Sequence, residues 1–140
     1  MTDTAQQVLI TRVFDAPREL VFQAWTDPDQ LAKWFGPEGV EVARESVVIE
    51  PRVGGRYELS MGHFDIKYEI VELEPPRLLV LKCEPIPGVG IHERTFTRVE
   101  LHDHGGKTRM TMSDGPYTEA THAEAGWHGA FAKLDALLAS

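Results

Sequence analysis

The sequence predicts an α+β protein, in which a curved antiparallel sheet of about seven strands is covered by one long C-terminal helix. Three observations support this. A β-branched run near the start is followed by two helix start signals, which predict two short helices after strand 1. Residues 46–114 then alternate in strand-like runs between turn clusters. The chain ends on a segment with helical spacing.

The first strand is predicted at Val8–Phe14, because the run VLITRVF is rich in β-branched and apolar residues. Residues 1–7 precede it and are predicted to form a short flexible tail. They contain neither the basic nor the apolar region of a signal peptide.

Two short helices are predicted next. Pro17–Trp25 forms the first, since proline is favoured in the first turn of a helix. Pro28–Phe35 forms the second, which Gly36 caps in the left-handed conformation and Pro37 cannot continue.

A meander of six further strands follows, separated by clusters of Gly, Pro, Asp and His. Short connections between neighbouring strands indicate antiparallel pairing. The predicted strands are Ser46–Glu50, Arg56–Ser60, Phe64–Leu73, Leu78–Glu84, Ile91–Leu101 and Lys107–Ser113.

The last helix is predicted at Thr118–Leu138, where apolar residues recur on one face centred on Trp127. At 1.5 Å per residue it is about 30 Å long, enough to cross a curved sheet. The sheet needs a cover for its apolar face, and this helix has the required length. The stripe comprises Ala120, Ala123, Trp127, Phe131, Leu134 and Leu138.

Composition narrows the class of protein. A length of 140 residues favours a single domain, which we place at residues 8–140. The chain contains 14 Lys and Arg against 22 Asp and Glu. The net charge of −8 and the scattered basic residues argue against nucleic-acid and anionic-membrane partners. A lone Cys83 allows no internal disulfide, so we expect a cytoplasmic protein. We also expect a monomer or a weak homodimer.

Several sequence blocks, in this order and spacing, resemble one family. They are APRELVFQAWTDPDQLAKWFGP, PRVGGRYELSM, YEIVELEPPRLLVL, GGKTRMTM and GWHGAFAKLDALL. Over about Val8–Leu138 the chain is similar to the activator of heat-shock-protein-90 ATPase-like family, within the START-like, SRPBCC or helix-grip superfamily.

The resemblance implies a seven-stranded sheet wrapped around the C-terminal helix, with an elongated cavity between them. Members of the family include binders of small molecules, a few enzymes and a domain that contacts the chaperone. The fold alone therefore does not determine the function.

Trp34 and Phe35 are the first candidate site residues. They share one face of the second helix with Leu31, at positions i, i+3 and i+4. Aromatic residues at this spacing belong either to a helix packed on the rim of the sheet or to a lid at the mouth of a cavity. The sequence leaves both interpretations open.

Strand alternation nominates further cavity residues. Side chains predicted to face inward are Tyr57, Met61, Phe64, Tyr68, His92, Arg94, Phe96, Met110 and Met112. A phase error of one residue would instead turn Arg94 outward and place Thr95 and Thr97 inside.

The last helix adds Trp127 and Phe131 from its stripe, and Glu124 at the edge of that stripe. In a cavity Glu124 would be a candidate acid or base with a raised pKa, whereas at a stripe edge it would reach solvent. The catalytic residues, if any, are not identified by the sequence.

We predict neither metal nor cofactor. His102-Asp103-His104 falls at a hairpin tip without a third ligand nearby in sequence, which is typical of an exposed polar turn. There is no dinucleotide fingerprint, Walker loop or nucleophile elbow.

Three hypotheses for the function follow. The first is binding of a small hydrophobic or amphipathic molecule between the sheet and the last helix. The second is an enzyme, of cyclase, isomerase or hydrolase type, acting on such a molecule; it requires a titratable pair in the cavity. The third is an interaction module that modulates a chaperone ATPase, which the resemblance suggests without a separate domain to support it.

Overall fold

The computed structural model describes residues 5–62 and 64–140 and confirms the predicted α+β fold. Single 3-10 turns lie at Arg44–Ser46 and Pro87–Val89. In chain order, the strands and helices are β1 (Gln6–Phe14), α1 (Arg18–Thr26), α2 (Pro28–Trp34), β2 (Val48–Ile49), β3 (Arg56–Met61), β4 (Phe64–Glu74), β5 (Leu78–Cys83), β6 (Thr95–His104), β7 (Lys107–Tyr117) and α3 (Thr121–Ala139).

In the described part of the chain, the strands form one antiparallel sheet in the order β1-β7-β6-β5-β4-β3-β2. Consecutive strands from β2 to β7 are neighbours, as a meander requires. A two-residue hairpin joins β6 to β7, where His104 pairs with Lys107 across Gly105 and Gly106. Both glycines have positive φ, 62° and 86°, the conformation that a two-residue hairpin turn demands.

Several strand and helix ends differ from the predicted ones. β1 begins at Gln6, inside the predicted tail, and the Gln6 side chain accepts a hydrogen bond from the Ala120 amide at 2.8 Å. Residues 1–4 of that tail lie outside the described residues. β6 begins at Thr95 rather than Ile91, and α3 begins at Thr121 rather than Thr118.

β7 continues four residues past its predicted end at Ser113, through Asp114-Gly115-Pro116 to Tyr117. This run has the composition of a turn, which is why the sequence prediction stopped there. Strand partners on both sides override that preference: Asp114 pairs with Val8 of β1 and with Thr97 of β6. The extension places Asp114 inside the sheet.

An aromatic cluster fills the space between the sheet and the helices. Trp25 of α1 lies at its centre, with its ring centroid 4.8 Å from Trp34, 5.9 Å from Trp127 and 6.2 Å from Phe131. The predicted stripe of α3 faces this cluster, with Trp127, Phe131 and Leu134 buried. Trp127 of this cluster also lines a pocket.

Candidate ligand-binding pocket

A pocket of about 160 Å³ lies between α3, the segment after α2, and strands β3, β4 and β7. Its apolar wall includes Phe35, Met61, Ile66, Ile91, Trp127 and Ala130. Four polar side chains also line it, namely Tyr68, Asp114, Tyr117 and His122. The pocket is therefore mainly apolar, with a small group of polar atoms.

The two aromatic residues at the end of α2 have different surroundings. Trp34 is fully buried, and its indole Nε1 donates to the carbonyl of Ala24 at 2.9 Å. Phe35 ends the helix in an extended conformation, lines the pocket and packs edge-on against Trp127, with 5.4 Å between the ring centroids. The core interpretation thus holds for Trp34, whereas Phe35 forms part of the pocket wall.

The segment after α2 is fastened to α3 by a lysine. Lys133 Nζ donates to three backbone carbonyls at 3.2–3.3 Å, those of Phe35, Pro37 and Val40. Gly129 permits this close approach, because a Cβ there would lie 2.8 Å from the Glu38 amide nitrogen. The pocket rim is therefore held at a fixed distance from the helix.

Asp114 is the centre of the polar group. Its carboxylate is 3% exposed and accepts hydrogen bonds from three side chains. Thr97 Oγ1 donates to Oδ1 at 2.9 Å, while the Tyr117 hydroxyl and Trp127 Nε1 donate to Oδ2 at 2.6 and 2.7 Å. The indole has only a donor to offer, so Oδ2 must act as an acceptor. These contacts hold the carboxyl group in one orientation at the pocket wall.

Burial changes the acidity of this group. The pKa of Asp114 is raised, because desolvation of the carboxylate outweighs the hydrogen bonds from Tyr117, Trp127 and Thr97, which lower it. The pKa of Tyr117 is raised by burial and by the adjacent Asp114 charge. Burial, with a further contribution from Asp114, also raises the pKa of Tyr68. Both tyrosines remain hydroxyl donors at neutral pH.

We expect the stability of the wild-type protein relative to Asp114→Asn to fall as the pH rises above 3.8, the ordinary pKa of the carboxyl group. Because the folded-state pKa is raised, the folded protein retains a proton that the unfolded chain has already released. This contribution is complete below pH 3.8 and is lost as the pH passes the raised folded-state pKa.

The measurement is urea unfolding of both proteins from pH 4 to pH 8. Asparagine does not titrate, so the difference between the two curves isolates Asp114. A difference that stays constant across this range would contradict the raised pKa.

The structure brings part of the predicted site together. Of the nominated residues, Phe35, Met61, Tyr68 and Trp127 line the pocket. Tyr57, Met110, Met112 and Phe131 are buried in the core and are not among the lining residues. The side chain of Phe64 lies outside the described residues.

The predicted inward orientation of His92, Arg94 and Phe96 is wrong. Arg94 pairs with Glu84 at the surface, 3.1 Å from Nε to Oε2, and Phe96 is 42% exposed. His92 is exposed and precedes β6. The opposite phase is observed, with Thr95 and Thr97 buried.

The register of β6 with β7 explains this phase. It sets Thr97 opposite Asp114, whose carboxylate needs a buried donor. Alternation along β6 is weak evidence for either phase, because the strand contains polar residues at both sets of positions.

Glu124 does not contribute to the pocket. It is exposed, and its carboxylate lies 3.7 Å from Nε2 of His128, one turn along α3. Of the two interpretations of this residue, the structure supports the one in which it reaches solvent.

His122 of α3 lines the pocket although the sequence prediction did not nominate it. The sequence prediction also missed Asp114 and Tyr117 of β7. Both follow Ser113, where the last strand was predicted to end. One signal was available: Asp114 continues the alternation of Met110 and Met112, so an extended strand would have placed it on the same inward face.

In the part of the chain that the structure describes, neither a metal cluster nor a reactive cysteine forms a second site. Within the described residues, no three His, Cys, Asp or Glu side chains lie close enough together to hold a metal ion. Cys83 is buried, and burial raises the pKa of its thiol to about 11, which disfavours the nucleophilic thiolate. No helix in the described ranges is long and apolar enough to cross a membrane.

A seven-stranded antiparallel sheet that encloses a C-terminal helix, with a pocket between them, defines a helix-grip, START-like protein. Residues 15–139 match the family described as Activator of Hsp90 ATPase homolog 1-like protein, and the chain belongs to that family. No curated protein matches the sequence.

Several solved structures share the fold. A protein from Chromobacterium violaceum is 23% identical with a TM-score of 0.83, over 96% of this chain and 97% of that one. One from Arthrobacter aurescens is 24% identical with a TM-score of 0.82, over 99% and 90%. The AHSA1 protein from Silicibacter pomeroyi is 19% identical with a TM-score of 0.77, over 96% and 98%. At these identities the likeness establishes the fold alone.

Proposed function

We propose that the protein binds a small hydrophobic or amphipathic molecule in the pocket between Phe35, Tyr68 and Trp127, and that it does so in the cytoplasm. The main support is the composition of the pocket wall, which is apolar except for a few polar side chains around Asp114. Binding sites for small molecules typically combine these two features, since the apolar wall supplies affinity and the polar atoms fix orientation.

The size of the pocket limits the ligand. Engineered apolar cavities of about 150 Å³ bind benzene. A pocket of about 160 Å³ that is open on one side therefore accommodates a body of about one aromatic ring, with the remainder of the molecule reaching its mouth.

The test is a titration with 2-phenylethanol, a neutral amphipathic probe of this size, followed by amide chemical shifts. We expect shifts confined to pocket residues such as Gly36, Tyr68 and Gly126. The variant Ala123→Trp should abolish them, because Ala123 lines the pocket and the larger side chain fills it. The control Ala125→Trp places the same side chain on an exposed position of α3 and should leave them unchanged.

Native mass spectrometry of protein purified from its own host complements the titration. An extra mass that disappears on denaturation, and that Ala123→Trp lacks, would identify the natural ligand. Absence of any pocket-confined shift with 2-phenylethanol would count against the proposal.

An enzyme acting on such a molecule is the second candidate. One observation favours it: Asp114 is a buried carboxyl group with a raised pKa at the pocket wall, beside the Tyr117 hydroxyl. Turnover of the identified ligand by the wild-type protein, and its loss in Asp114→Asn, would establish this function.

Modulation of a chaperone ATPase is a third proposal, which rests on the family to which the chain belongs. Stimulation of the chaperone's ATP turnover by the purified protein would support it. An unchanged rate at saturating protein would exclude this role.

A further inference from the structure

Asp114 is a buried carboxyl group without a cationic partner. It is the one Asp, Glu, Lys or Arg that is buried among residues 5–62 and 64–140. Its three hydrogen-bond partners are neutral, and none of the ion pairs in this part of the chain includes it. Buried carboxylates are usually paired with a cation, because hydrogen bonds from neutral groups replace only part of the lost hydration.

The carboxylate also retains an unused acceptor site. Its two oxygens offer about four lone-pair positions, of which the donors Thr97, Tyr117 and Trp127 use three. Asp114 lines the pocket, so a molecule bound there is in a position to approach the carboxyl group.

The aromatic part of the wall suits a positive charge. His122 also lines the pocket and is not a hydrogen-bond partner of Asp114. Four aromatic side chains line the pocket, those of Phe35, Tyr68, Tyr117 and Trp127, and the faces of such rings attract cations. Within the described ranges no Lys or Arg lines the pocket, and the whole chain has a net charge of −8. A long-range field of this sign draws cations toward the protein and repels anions.

We infer that the ligand of this pocket is an amphipathic amine, with an apolar body of about one ring against Trp127 and a protonated nitrogen directed at Asp114. This inference rests on the proposed function and specifies its ligand class. The ammonium would supply the absent counter-charge and would donate to the unused acceptor site. Molecules that end in a carboxylate, such as fatty acids, are disfavoured, because two carboxyl groups can face each other in an apolar pocket only if one of them takes up a proton.

Three probes of nearly equal shape test the inference on the wild-type protein: 2-phenylethylamine, 2-phenylethanol and phenylacetate. Their dissociation constants are measured by amide-shift titration at pH 7. We expect the amine to bind at least 10-fold more tightly than the alcohol, and phenylacetate to cause no pocket-confined shifts, since a charge-assisted hydrogen bond is about twice as strong as a neutral one.

Two variants locate the source of the preference. Asp114→Asn should reduce the ratio of alcohol to amine dissociation constants to near 1. Glu124→Gln removes an exposed carboxylate on α3, which changes the net charge by the same amount, and it should leave the ratio unchanged.

Each outcome has a distinct meaning. Equal binding of amine and alcohol would overturn the inference and leave the proposed function standing. Failure of all three probes to bind would overturn both. An equal loss of preference in the two variants would assign it to net charge rather than to Asp114. If Asp114→Asn does not fold, the comparison of probes on the wild-type protein decides the matter.

Discussion

Trp34→Ala is expected to lower the free energy of unfolding by about 4 kcal/mol, within the range for truncating a fully buried Trp. Trp34 is 0% exposed and contacts Trp25 edge-on, with 4.8 Å between the ring centroids. Its indole also caps the carbonyl of Ala24 near the end of α1. Truncation would therefore leave a large cavity and a carbonyl without its indole donor.

The measurement is urea unfolding of Trp34→Ala, with Leu20→Ala as the control. Leu20 lies on α1 and is 48% exposed, so its truncation should cost less than about 1 kcal/mol. A cost for Trp34→Ala as small as that of the control would mean that Trp34 is not enclosed, and would restore its role as a lid over the pocket.

Asp114→Leu is expected to destabilise the protein by about 3 kcal/mol, although it removes a buried ionisable group. The substitution leaves the Trp127 indole and the Thr97 hydroxyl without their acceptor, and each buried unpaired donor costs about 1–3 kcal/mol. The gain from no longer burying a carboxylate offsets part of this cost. Asp114→Asn retains an acceptor oxygen and should cost about 1 kcal/mol.

A double-mutant cycle separates these contributions. Trp127→Phe removes the indole donor and keeps an aromatic ring, so Asp114→Leu should cost at least about 1 kcal/mol less in that background than alone. Additive costs would show that the hydrogen bond from Trp127 to Asp114 contributes nothing to stability.

Local sequence patterns predicted the buried faces correctly where the packing of neighbouring elements favours the same faces. The apolar stripe of α3 predicted which face of that helix is buried, because helical spacing alone decides which side chains lie together. Alternation in β3 and β4 predicted Met61 and Tyr68 at the pocket in the same way.

The same patterns failed where pairing with neighbouring strands decides which residues face inward or where a strand ends. Both faces of β6 carry polar residues, so its phase was set by the pairing of Thr97 with Asp114 on the next strand. Pairing with β1 and β6 likewise extends β7 as far as Tyr117, although the sequence there has the composition of a turn. The polar half of the pocket was therefore not found from local sequence.

By itself the sequence determined the α+β class, the succession of strands and helices, and the apolar faces that form the core, since these depend on residues near one another in the chain. Only the tertiary structure decided that Trp34 is core while Phe35 lines the pocket, and that Asp114 lies beside Trp127. Those placements depend on burial, and burial arises when distant segments pack together.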